Sequence, residues 1–88
     1  MHATPGADGT VTAHVDAGGE PWERVRALLE RRLCDLPPGC LLEVVTVDPG
    51  VRDALPDWCP GTGAALLSAE DTGDTTSFLV RVPARAAL

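Results

Sequence analysis

A two-layer α/β (α+β) sandwich is the fold class the sequence predicts: a four-stranded mixed sheet with two helices on one face, in the order β-α-β-α-β-β. Three observations predict it. Four stretches have the period-two or continuous apolar character of strands, and two stretches between them switch to helical spacing. Helices that fall between strands imply crossovers packed on a sheet. The chain has 88 residues, with no repeat and no linker long enough to divide it. Residues 10–83 are expected to form one domain, with loose tails at 1–9 and 84–88.

The first element is "TVTAHVD", 10–16. Val11, Ala13 and Val15 share one face, and Thr10, Thr12, His14 and Asp16 share the other. This is the pattern of a half-buried strand, and it puts His14 among solvated sheet residues. "GGEPWERV" then opens a helix from Pro21 to about Cys34. Pro21 suits the first helical turn, where its missing N–H has no partner to lose. Trp22, Val25, Leu29 and Leu33 recur at helical spacing, with Leu28 beside them and Arg24, Glu30 and Arg31 opposite. "LPPG", 36–39, ends the helix.

"CLLEVVTVD", 40–48, reads as a central strand. Leu42, Val44 and Thr46 lie on one face and Leu41, Val45 and Val47 on the other, so both faces are largely apolar. Val51, Leu55 and Trp58 mark one face of a second helix, which Pro56 is expected to shorten or kink. "AALLSAE", 64–70, and "SFLVRV", 77–82, form a hairpin across "DTGDTT".

Charge and composition exclude several functions. There are 13 acids against 7 arginines, no lysine, and a net charge of −6. Phosphate binding needs a basic face, so a nucleic-acid partner is not expected, nor is an anionic membrane surface. No apolar run approaches the ~18 residues of a membrane span. The N-terminal residues do not read as a signal peptide, so a cytoplasmic location with reduced thiols is expected. The three cysteines and two histidines show no paired ligand spacing, and a zinc site takes about four ligands, so no metal or other cofactor is expected. Cys34 and Cys40 flank a turn and are read as a free pair.

The string "PGCLLEVVTVDPGVRDALPDWCPGTGAALL" resembles the TusA/SirA-like sulfur-carrier family, in which a stretch of the form "PGxxLxVxxDDPxxxxDIPxxCxxxGHxL" follows the first helix. Pro38, Gly39, Leu42, Val44, Asp48, Pro49, Pro56, Cys59, Gly63 and Leu66 fall on that pattern without a gap, with Leu55 in place of its isoleucine. "VDAGG", 15–19, is similar to the family's "LDxxG", and "FLVRV" to its last strand. The resemblance covers roughly residues 11–82. It implies a sulfur carrier whose reactive cysteine opens the first helix in a "CPxP" motif. The same register puts Trp22 at that cysteine, Glu23 and Val25 at its two prolines, Ala64 at the histidine after Gly63, and Val47 at the first of two acids.

The resemblance therefore implies the frame of a sulfur carrier with no catalytic cysteine at its reactive centre. The physics of the helix mouth points the same way. A persulfide carrier needs a thiolate stabilised by the positive end of a helix. Here Glu20 and Glu23 occupy that field, and Trp22 has no nucleophile. The edge formed by Gly19, Glu20, Trp22 and Glu23 is a candidate binding edge, while the apolar stripe also suits Trp22 as a core residue. Cys59 reads as a small buried apolar residue and Cys34 as a more accessible one; either is an alternative sulfur acceptor. Arg24, Arg26, Arg31 and Arg32 read as a solvated helix face with ion pairs such as Glu20–Arg24. Asp16, Asp48 and Asp53 read as turn and cap residues, not general acids or bases. The expected role is accessory protein binding in sulfur trafficking or a sulfur-dependent biosynthesis, with a sulfur-pathway enzyme as partner by resemblance. A further reading is a dimerising structural module, a weak homodimer joined through Leu41, Val45, Val47 and Leu79.

Overall fold

The computed structural model describes residues 11–83; the two expected tails lie outside the described residues. The element order is β1 (Val11–Gly18), α1 (Trp22–Asp35), β2 (Leu41–Thr46), α2 (Pro49–Thr62), β3 (Ala65–Thr72) and β4 (Thr75–Arg81). The sheet order is β1-β2-β4-β3. Strand β1 runs parallel to β2, and β4 is antiparallel to both β2 and β3. The sheet is therefore mixed and β2 is internal, as the double apolar pattern of residues 40–48 predicts.

Strand parity sets the core. Val15, Val44 and Phe78 are successive partners across three strands, and Leu42 faces Val80 in the next row. These side chains are buried in one cluster with Val25 and Leu29 of α1 and Val51, Leu55 and Cys59 of α2. One cluster shared by both helices puts them on the same face of the sheet.

Helix α1 starts one residue later than the spacing predicts. Pro21 is the N-cap, extended at φ −70° and ψ 160°, and Trp22 is the first helical residue. The ring fixes φ near the value found, and either position forgives the missing N–H. The helix ends at Asp35 because Leu36 precedes Pro37, and a residue before proline is pushed out of the helical region; Leu36 has ψ 146°. Leu33 is half-buried, and Leu28 is exposed on the flank of the stripe.

Helix α2 departs from the sequence reading twice. It keeps its 14 residues through both Pro56 and Pro60, so Pro56 does not shorten it. The carbonyls that lose an intrahelical N–H belong to Arg52 and Pro56, an exposed and a half-buried position that water can reach. The buried stripe is Val51, Leu55 and Cys59, not Val51, Leu55 and Trp58. At about 100° per residue Val51 and Cys59 lie about 40° to either side of Leu55, whereas Trp58 lies about 60° from it, on the flank that meets Trp22 of α1. Asp48 caps the start, its carboxylate accepting from the Val51 N–H at 3.1 Å. Gly63 closes the end at φ 86°, a left-handed conformation that favours glycine. The β3–β4 loop is also tighter than "DTGDTT" suggests: both strands extend to a Gly73–Asp74 turn, with Gly73 at φ 66°.

Candidate functional site at the mouth of the first helix

The site is built where parallel strands β1 and β2 end and both helices begin. Gly18 closes β1 at φ 54°. Its carbonyl accepts from the Val47 N–H at 2.9 Å and from Thr46 Oγ1 at 3.3 Å. The Asp48 N–H in turn donates to Thr46 Oγ1 at 3.0 Å. Buried Thr46 thus ties the end of β1 to the cap of α2. The Glu20 N–H donates to the Ala17 carbonyl at 3.0 Å, turning the chain into Pro21.

Trp22 stands at the helix mouth, half-buried against the core. Its indole meets Trp58 of α2 edge to face, with ring centroids 5.8 Å apart and an interplanar angle of 78°. It is therefore both core edge and surface. Single-element periodicity carries no signal for the Trp22–Trp58 contact, because it joins two helices. Gly19, Glu20 and Glu23 are exposed beside it. Pro21 supplies no side-chain cap, so the positive field of the first turn is met by acids. Glu20 pairs with Arg24 at 3.6 Å and Arg26 with Glu30 at 3.6 Å, as expected for a solvated helix face.

The three cysteines are free: Cys34 is exposed, Cys40 half-buried and Cys59 buried. Burial pushes the Cys59 thiol above its ordinary value of 9.0, so it is protonated near neutrality. Asp16 accepts from the Gly18 N–H and Asp48 caps α2, as turn and cap residues should. Asp53 instead lies within α2, beside Arg52 at 3.4 Å. Two shallow hollows flank the mouth. One, of about 250 Å³, lies between the free edge of β1 and α1 and reaches Glu20 and Leu28. The other, of about 380 Å³, lies between the start of α2 and the Gly73–Asp74 turn.

The opposite sheet face is less apolar than its alternation suggests. Leu41 is buried, Val45 and Leu79 are half-buried, and Val47 is exposed beyond the strand end. Between them Glu43 receives His14 Nδ1–H at 3.0 Å and the Ser77 hydroxyl at 3.0 Å. The hydrogen bonds from His14 and then Ser77 hold the Glu43 carboxyl below its ordinary value of 4.5. Among the described residues, no helix is long and apolar enough to cross a membrane.

No family model matches the chain. The chain is 31% identical over 72 residues to the sulfur carrier protein TusA of Pseudomonas aeruginosa, covering 82% of this chain and 91% of the relative. The TusA proteins of Pseudomonas syringae and Pseudomonas fluorescens are 32% and 31% identical, covering 82% and 84% of this chain and 86% and 84% of the relatives. The chain belongs to the TusA sulfur-carrier family. The fold expected from the resemblance is the one observed.

Proposed function

We propose that this TusA-family chain does not carry sulfur at the mouth of its first helix and acts as an accessory, protein-binding component of sulfur trafficking or sulfur-dependent biosynthesis. The observation that carries this reading is Trp22: the position that resembles the family's reactive cysteine holds an indole packed on Trp58. Glu20 and Glu23 beside it oppose a persulfide anion in the field that would stabilise one. Cys59 offers no easy replacement, since its thiol is buried and its pKa raised. The binding edge is then Gly19, Glu20, Trp22 and Glu23, with a sulfur-pathway protein as the partner.

Exposure of Cys34 favours one alternative, a sulfur carrier whose thiol has moved to the far end of α1. Incubation with a cysteine desulfurase and cysteine, followed by intact mass, separates the two. The proposed function expects no added sulfur. A persulfide mapped to Cys34 or Cys59 establishes a relocated carrier in its place.

A further inference from the structure

The two tryptophans of the chain, Trp22 and Trp58, form one pair at the candidate binding edge. Both are half-buried, so part of each indole reaches solvent after the two have packed together. Three of the five arginines on the two helices are engaged: Arg24 with Glu20 at 3.6 Å, Arg26 with Glu30 at 3.6 Å and Arg52 with Asp53 at 3.4 Å. The acids that directly follow Trp22 and precede Trp58 are Glu23 and Asp57. Both are exposed, and among the described residues neither has an ion-pair partner. The whole chain adds a net charge of −6.

We propose that the Trp22–Trp58 pair, with Glu23 and Asp57 beside it, seats a basic segment of a protein partner, an arginine side chain lying over the exposed part of the indoles. This rests on the proposed function, whose binding edge it specifies, and commits that edge to a partner chemistry. A guanidinium fits better than an ammonium. It is planar, more weakly hydrated and able to stack on an indole while its N–H groups reach a carboxylate. An anionic partner meets repulsion at the same place. The aromatic pair supplies the apolar contact, and the carboxylates supply attraction and orientation. No bond is made or broken.

The pair itself reports the test, because every tryptophan in the chain belongs to it. Intrinsic fluorescence is titrated with tetra-arginine, tetra-lysine and tetra-glutamate peptides at low and at physiological salt. Tetra-arginine is expected to give a saturable change, tetra-lysine a weaker affinity and tetra-glutamate no change. Added salt should weaken the first two, since the charges are exposed. The double variant Glu23→Gln, Asp57→Asn should weaken tetra-arginine binding about fivefold. A charge-matched control, Glu70→Gln, Asp71→Asn on strand β3, should leave it nearly unchanged. Equal losses in the two double variants would show general attraction to an acidic surface and overturn the proposal, as would a response that does not distinguish arginine from glutamate. The persulfide experiment is independent of these titrations. A protein that stays free of added sulfur yet ignores tetra-arginine refutes this inference and leaves the absence of sulfur transfer standing.

Discussion

Thr46 and Gly18 are joined across the ends of β2 and β1 by a 3.3 Å hydrogen bond from Thr46 Oγ1 to the Gly18 carbonyl. The same hydroxyl oxygen accepts from the Asp48 N–H at 3.0 Å. A residue that is 1% exposed thus links the strand leading into α1 with the cap of α2. Thr46→Val keeps the shape and removes both bonds. The Gly18 carbonyl retains the Val47 N–H, but the Asp48 N–H loses its acceptor. The expected loss is about 1 kcal/mol, read as a lower urea midpoint with an unchanged slope. Thr46→Ser should recover much of it, which a purely steric role for the methyl group would not allow.

The polar cluster on the open sheet face predicts an acid-dependent contribution to stability. Glu43 accepts from His14 and Ser77, and its carboxyl is held below 4.5 in the folded state. A carboxyl whose folded pKa is depressed binds protons more readily when unfolded. Its contribution is present above 4.5 and is lost as pH falls through the folded value. Glu43→Gln removes that titration. The stability advantage of the parent over Glu43→Gln should therefore shrink on acidification below 4.5, in paired urea titrations across pH. A difference that stays constant through that window would show that the carboxyl does not titrate differently in the folded protein.

How much of this was legible before the fold is clearest strand by strand. Leu42, Val44 and Thr46 were readable as one face because alternation has a period of two residues, and all three are buried. Asp48 and Gly63 were readable from their chemistry at helix ends, one as a cap residue and the other through the family pattern. Helix α2 was misread in detail because Trp58 and Cys59 are adjacent and both apolar, so spacing alone does not choose between them. Pro56 does not end α2, which runs on through it to Thr62. The site was legible in outline, since Trp22 and its flanking acids lie in one short segment. Its partners were not: Trp58 comes from another helix, and the His14–Glu43–Ser77 cluster spans three strands. Contacts of that kind depend on register and packing, which a single sequence does not state.

If Trp22 takes the place of a reactive thiol, placing cysteine at that position should not restore reactivity, because Glu20 before the N-cap and Glu23 in the first turn remain. Both acids are exposed, and Glu20 also pairs with Arg24 at 3.6 Å, so their field is screened but close. Their charge raises the free energy of a thiolate there, against the helix terminus that lowers it. The comparison is Trp22→Cys alone against Trp22→Cys with Glu20→Gln and Glu23→Gln. Both are made in a background where Cys34, Cys40 and Cys59 are replaced. The rate of alkylation by iodoacetamide, followed across pH, gives each thiol pKa. The variant with both glutamines should titrate at lower pH and react faster near neutrality, by about threefold to tenfold for a shift of half to one unit. Circular dichroism spectra should match between the two, since Trp58 loses the same indole partner in each. Equal pKa values would show that the acids do not govern this helix mouth, and that the proposed absence of sulfur transfer rests on Trp22 alone.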